Sequence, residues 1–212
     1  EFPLLLEIEK AEGVYLYDTA NKQYIDLIAG IGVSSLGHRH PKVVEAIKHQ
    51  TDKYLHTMVY GEYVLSPQVE LATYLSSLLP TNLNSIYFTN SGAEATEGAM
   101  KLAKRYTGKY EIIAAKNAYH GSTQGAASLM SDPFFNQAYR PLLPGIDFIE
   151  FNNFDDINKI NHQTAAVILE PVQAENGIHL PNENYLAAIR KRCDETNTLL
   201  IFDEIQTGCG RT

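Results

Sequence analysis

Residues 165–208 read AAVILEPVQAENGIHLPNENYLAAIRKRCDETNTLLIFDEIQTG. The stretch opens on an unbroken apolar run, Ala165 to Leu169, and reaches a second one at Leu199-Leu200-Ile201-Phe202. Between them Tyr185, Leu186, Ile189 and Cys193 recur at helical spacing. A strand that is apolar at every position is buried on both faces, and two parallel strands need a crossover, usually a helix. Working outward, Ile112-Ile113-Ala114 and Ser85-Ile86-Tyr87-Phe88 read as further strands, with a helix from Ala93 to Tyr106 between them. The fold class predicted is α/β, a mostly parallel sheet with helices on both faces.

The chain before this region has a different texture. Val14 to Tyr17 and Gln23 to Asp26 flank a polar turn at residues 19–22 and predict a β-hairpin. A glycine-dotted loop, Ala29-Gly30-Ile31-Gly32, leads to Gly37-His38-Arg39-His40-Pro41. Pro41 suits the first turn of a helix that carries Val43, Val44, Ile47 and Tyr54. Ser66-Pro67 starts another, with Val69, Ala72, Leu75 and Leu79 on one face. Two domains are expected: residues 1–60 as part of a smaller one, and 61–212 as the first part of a larger one. The chain stops at Gly208-Cys209-Gly210-Arg211-Thr212 without a closing element, so a fragment of a longer protein is expected.

Composition narrows the function classes. Among 212 residues, 17 are basic and 25 acidic, a formal charge of −8, which argues against a general nucleic-acid binder. No apolar run approaches a bilayer span, and EFPLLLEIEK at the start is too short and acidic for a signal peptide. Cys193 and Cys209 form no CxxC pattern, so the expected compartment is reducing and cytoplasmic.

In open α/β sheets ligands bind beyond the carboxyl ends of the strands. There the sequence places Thr89 to Glu94, Asn117 to Gly121, Glu170 to Glu175 and Asp203 to Gly208, all polar or small. Ser91-x-x-Glu94 is a capping box, which by itself indicates a well-made helix start. It equally fits an anion site, since Gly92 and Ala93 let their N–H groups approach a phosphate at the positive helix end. Asp203 directly follows a buried strand, where an unpaired carboxylate is costly and a cationic partner is expected. A structural Arg or Lys would serve, as would Mg²⁺, but no GxxxxGK segment accompanies it. The pairs Gly30-x-Gly32 and Gly208-x-Gly210 are too weak for a dinucleotide site, and His38-x-His40 fits turn and capping roles better than a metal site. No metal is expected.

Taken in order, Gly37-His38-x-His40-Pro41, Asn90-Ser91-Gly92-Ala93-Glu94-Ala95, Tyr119-His120-Gly121, Glu170-Pro171-Val172-Gln173 and Asp203-Glu204-Ile205-Gln206-Thr207-Gly208 resemble the class III pyridoxal-phosphate aminotransferases. That group includes acetylornithine, ornithine and 4-aminobutyrate aminotransferases. The resemblance implies their pyridoxal-phosphate-dependent transferase fold, and an enzyme moving an amino group from an amine or ω-amino acid to a 2-oxo acid such as 2-oxoglutarate. It implies that Ser91, Gly92 and Ala93 hold the cofactor phosphate, and that Tyr119 and Ile205 cover the two ring faces. Asp203, the catalytic residue, would pair with the protonated ring nitrogen, His120 would belong to the cofactor site, and Gln206 would bond near the 3′-oxygen. Glu175 would match the acid that switches the site between substrates, and a homodimer is implied.

Two departures qualify the resemblance. The cofactor-binding lysine of the family lies downstream of residue 212, and neither Lys101, Lys104 nor Lys116 sits where it could replace it. Acetylornithine and ornithine aminotransferases usually carry Phe-His-Gly-Arg-Thr, whose Arg grips a substrate carboxylate; this chain has Tyr119-His120-Gly121-Ser122-Thr123, and Ala174 stands where a glycine is usual. The alternatives are an aminomutase of the glutamate-semialdehyde type, which usually reads Ser-Gly-Thr where this chain has Ser91-Gly92-Ala93, and a relative that has lost the lysine.

Overall fold

The computed structural model describes residues 4–58 and 61–212. They divide into two compact units, residues 1–87 and 88–212.

The first unit is built on a three-stranded antiparallel sheet, ordered β1 (Ile8–Glu12), β2 (Tyr15–Asp18), β3 (Gln23–Ile25). The expected hairpin is its second half. Asp18 makes the turn: its Oδ1 accepts from the Ala20 and Lys22 N–H groups at 3.0 and 2.9 Å, and its Oδ2 from the Tyr24 hydroxyl at 2.8 Å. These bonds hold its carboxyl below the usual range, the Lys22 backbone bond foremost. A kinked turn, α1 (Ala29–Gly32), leads to His38, whose Nε2 lies 2.7 Å from Asp26 Oδ2, a turn-fixing contact. Helices α2 (Pro41–Thr51) and α3 (Ser66–Leu78) each carry proline in the first turn, as the sequence indicates. Residue 60, where the domain boundary was expected, lies outside the described residues; α3, expected in the second domain, belongs to the first unit.

The second unit carries the buried core. Its order is α4 (Gly92–Thr107), β4 (Glu111–Ala115), α5 (Gln124–Ser128), α6 (Pro133–Asn136), β5 (Ile146–Ile149), β6 (Thr164–Leu169), α7 (Tyr185–Thr196) and β7 (Leu199–Phe202). The four strands are parallel in the order β5-β4-β6-β7, and all six residues of β6 are buried. Successive residues of a strand face opposite ways. Accordingly Ile113, Val167 and Leu169 pack with Tyr185, Ile189 and Cys193 of α7, while Ile112, Ala114 and Ile168 pack with Met100 of α4 and Leu129. Burial pushes the Tyr185 hydroxyl up to about 12 and the Cys193 thiol up to about 11. The predicted α/β sheet, covered on both faces, is therefore present.

One strand expectation fails. Residues 85–88 form no strand, and the sheet runs from β5 to β7 without them. The edge of the ladder beside β4 is β5, whose Asp147 interrupts the apolar pattern.

Candidate functional site

The loops that follow β4, β6 and β7 meet the N-terminus of α4 at the carboxyl edge of the sheet. Ser91 is the N-cap, extended at φ −156°, and its Oγ accepts the Glu94 N–H at 3.1 Å. Glu94 reaches back to the Asn90 N–H at 2.7 Å, so the box predicted from sequence is closed by a neighbour of the cap. The N–H groups of Gly92 and Ala93 have no intrahelical partner by construction, and the helix dipole makes this end positive.

A cavity of about 230 Å³ opens beside them. Gly92 and Ala93 form one wall, Tyr119, His120, Gly121 and Ser122 a second, and Asp203, Ile205 and Gln206 a third. Two glycines bring the walls together. A Cβ on Gly92 would lie 2.9 Å from Ile205 Cγ1, and one on Gly121, at φ +123°, would lie 2.7 Å from Ala93 Cβ. The Tyr119 ring is braced edge-on by Phe135, with ring centroids 5.4 Å apart.

Asp203 follows β7 directly, and its carboxylate is held from two sides. Oδ2 lies 2.8 Å from His120 Nδ1, and Oδ1 accepts the Ile205 N–H at 3.1 Å. The His120 side chain is fully buried, its carbonyl accepts the Thr96 hydroxyl of α4 at 3.1 Å, and its Nε2 has no hydrogen-bond partner. Thr207 Oγ1, beside Gln206, is likewise buried without a partner. No lysine or arginine forms an ion pair with Asp203 among the described residues, so the structural-cation explanation has no support there.

The structure thus brings together Gly92, Ala93, Tyr119, His120, Asp203, Ile205 and Gln206. Ser91 stands next to the cavity, with its hydroxyl committed to the cap. Glu175 is exposed and outside the cavity wall. One important side chain was assigned no role from sequence. Glu170, 7% exposed, accepts the Tyr119 N–H at 3.0 Å and the Ala174 N–H at 3.2 Å. Burial raises its carboxyl above the ordinary range, and the nearby Asp203 charge adds to the rise against the lowering effect of the two N–H bonds and His120. The available signal was its place directly after a fully apolar strand, the same one that singled out Asp203.

A cavity bounded by a carboxylate on one side and a positive helix end on another suits a flat ligand that is cationic at one point and anionic at another. The glycine walls and the Tyr119 and Ile205 side chains leave a slot for a ring, so these residues fit a pyridine ring carrying a phosphate.

Comparison with known proteins bears on this geometry. The family model described as aminotransferase class-III matches residues 1–212. The acetylornithine aminotransferase of Methanocaldococcus jannaschii is 43% identical over 96% of this chain and 52% of its own. The [LysW]-aminoadipate semialdehyde/glutamate semialdehyde transaminase of Sulfolobus acidocaldarius is 39% identical over 98% and 53%. Among solved structures, the adenosylmethionine-8-amino-7-oxononanoate aminotransferase of M. jannaschii superposes with a TM-score of 0.90 at 31% identity, covering 99% of this chain and 51% of that one. The taurine:2-oxoglutarate aminotransferase of Bifidobacterium kashiwanohense, solved with PLP and glutamate, gives 0.90 at 30% identity, covering 98% and 52%. The chain spans about half the length of the curated relatives it matches. Along all of that span, it belongs to the class-III aminotransferases.

Proposed function

We propose that the full protein carrying this chain is a pyridoxal-phosphate-dependent aminotransferase. It would move an amino group from an amine or ω-amino acid to a 2-oxo acid such as 2-oxoglutarate. The observation that carries this reading is the opposition, across one cavity, of the Asp203 carboxylate and the α4 N-terminus. When bound, pyridoxal phosphate supplies an aldehyde that accepts the amino group and an electron-withdrawing ring.

The chain's own residues then have separable tasks. The Gly92 and Ala93 N–H groups face the phosphate, with Ser91 keeping the helix end formed. Tyr119 and Ile205 flank the ring and exclude water from its faces. Asp203 keeps a proton on the ring nitrogen, each pKa unit of that preference being worth about 1.4 kcal/mol. His120 and the Ile205 N–H keep the carboxylate from turning away. Gln206 hydrogen-bonds near the 3′-oxygen, and Glu175, which lies outside the cavity wall, meets the part of the substrate that extends beyond it. Ser122 lines the cavity with a neutral hydroxyl and no cation, which favours donors without a carboxylate at that point. The reading includes a homodimer and, with Cys193 and Cys209 both free, a cytoplasmic location.

The test is Asp203→Asn in the full-length protein, which preserves the shape and removes the charge. Transamination with 2-oxoglutarate should fall by about two orders of magnitude or more, comparable to losing a preorganised charge contact. Turnover at the wild-type rate would refute the assignment.

A further inference from the structure

Glu170 joins the loop after β4 to the loop after β6 at Tyr119, beyond a first link in which Gln173 Nε2 donates to the Lys116 carbonyl at 2.9 Å. It follows the last residue of β6, and its two carboxylate oxygens serve two different loops. Oε1 accepts from Tyr119, in the loop after β4, and Oε2 from Ala174, in its own loop after β6. Each bond lands one step from a group of consequence. Beyond Tyr119 is His120, bound to Asp203 in the β7 loop at 2.8 Å; beyond Ala174 is Glu175. The β6 loop is itself closed by a backbone pair, Gln173 N–H to the His179 carbonyl at 3.1 Å and the reverse at 2.9 Å, so a pull at Ala174 is passed to a formed turn.

A buried carboxylate beside Asp203 is an unfavourable choice unless its two acceptors are both needed. A glutamine of the same shape offers one acceptor oxygen and would turn its N–H₂ group towards the other backbone N–H. A leucine would leave both N–H groups bare. The geometry therefore selects an ionisable residue where burial disfavours one.

We propose that Glu170 is a positioning residue that ties the Tyr119 loop to the Glu175 loop, so that the ring-covering surface and the substrate-facing acid are held in one geometry. The roles of Tyr119 and Glu175 rest on the function proposed above; the tie between the loops does not.

The experiment is residue-resolved amide hydrogen exchange on the full-length protein without cofactor, comparing wild type, Glu170→Gln and Glu170→Ala. In Glu170→Ala the Tyr119 and Ala174 amides should both exchange about tenfold faster or more, as expected for losing a bond to a charged acceptor. In Glu170→Gln, which keeps the volume, one of the two should stay protected. The amides of Met100 in α4 and Ile189 in α7 should keep their wild-type rates. Unchanged protection at both loops in Glu170→Ala overturns the proposal, and so does equal acceleration at Met100 and Ile189, which would mark general loosening. Titration with pyridoxal phosphate gives the second readout. Weaker binding in both variants, by about tenfold, supports the positioning role; wild-type affinity despite faster exchange overturns it. If the wild-type protein itself binds no pyridoxal phosphate, the proposed function fails, while the exchange rates still decide whether Glu170 ties the loops.

Discussion

Replacing Gly121 by alanine should damage the protein at one place and in a measurable order. Gly121 has φ +123°, a backbone conformation that L residues rarely adopt. Its added Cβ would sit 2.7 Å from Ala93 Cβ, 2.9 Å from Ala93 Cα and 3.3 Å from Ala126 Cβ. Carbon atoms pack best at about 3.5–4.0 Å, so the first two contacts are nearly 1 Å too close, and one of them is to backbone. Backbone strain of about 1–3 kcal/mol and overpacking of about 1–3 kcal/mol give a cost of roughly 2–6 kcal/mol if nothing moves. Movement relieves it in one direction, by pushing the Tyr119–Ser122 loop away from the start of α4 and widening the slot. Urea unfolding of the full-length protein should then show a stability loss of about 2–4 kcal/mol, and pyridoxal phosphate should bind at least about tenfold more weakly. Gly98→Ala is the control: it lies inside α4 with no atom within 4 Å of the added Cβ, and should be neutral or stabilising by about 0.5–1 kcal/mol. Gly92→Ala should fall between them, because its clash is with the flexible Ile205 side chain. Wild-type stability and cofactor affinity in Gly121→Ala would refute the close approach of the loop to α4.

Other expectations follow from single contacts. Ser122→Arg should raise kcat/KM for N-acetylornithine relative to a simple amine by about one to two orders of magnitude, the worth of a charged hydrogen bond; a strong wild-type preference for N-acetylornithine would sink the substrate inference. Lys109 Nζ donates to the carbonyls of Thr164, Thr196 and Asn197 at 3.2, 3.1 and 2.8 Å, tying the end of α7 to β6. Lys109→Met should cost about 2–3 kcal/mol in urea unfolding with little change in KM, and an unchanged midpoint would count against the clamp. Because burial raises the Glu170 carboxyl, the folded protein keeps that proton where the unfolded chain has lost it. Its contribution favours folding at and below the ordinary carboxylate value of 4.5, and is lost as pH rises through the raised value. The stability–pH curve of Glu170→Gln should lack that decline, and parallel curves for the two proteins would contradict it.

Much of the second unit could be read from residues in a row, because β4 and β6 are buried on both faces and β7, though only half-buried, carries the same unbroken apolar run. Ile112 to Ala114, Ala165 to Leu169 and Leu199 to Phe202 all form strands of the one sheet. Helix starts at Pro41, Ser66 and Ser91 were legible, since proline and a capping serine act within one turn of the chain, but Ser66, expected as a cap, is the first helical residue, with Leu65 in the cap position and no side-chain cap bond. Asp203 stood out because a carboxylate directly after such a strand needs a partner. What local pattern could not supply was adjacency. Ile146 to Ile149 becomes an edge strand despite Asp147, and residues 85–88 do not become a strand despite Ile86, Tyr87 and Phe88. The first outcome depends on β4 being present to share hydrogen bonds. The same holds for Glu170. Its two N–H partners are 51 and 4 residues away, and the distant one arrives only because β4 and β6 lie side by side, with Ile113 opposite Val167. Backbone periodicity is a property of neighbours along the chain and is written in the residues; the meeting of loops at the edge of the sheet depends on strand order and register, which only the packed core sets.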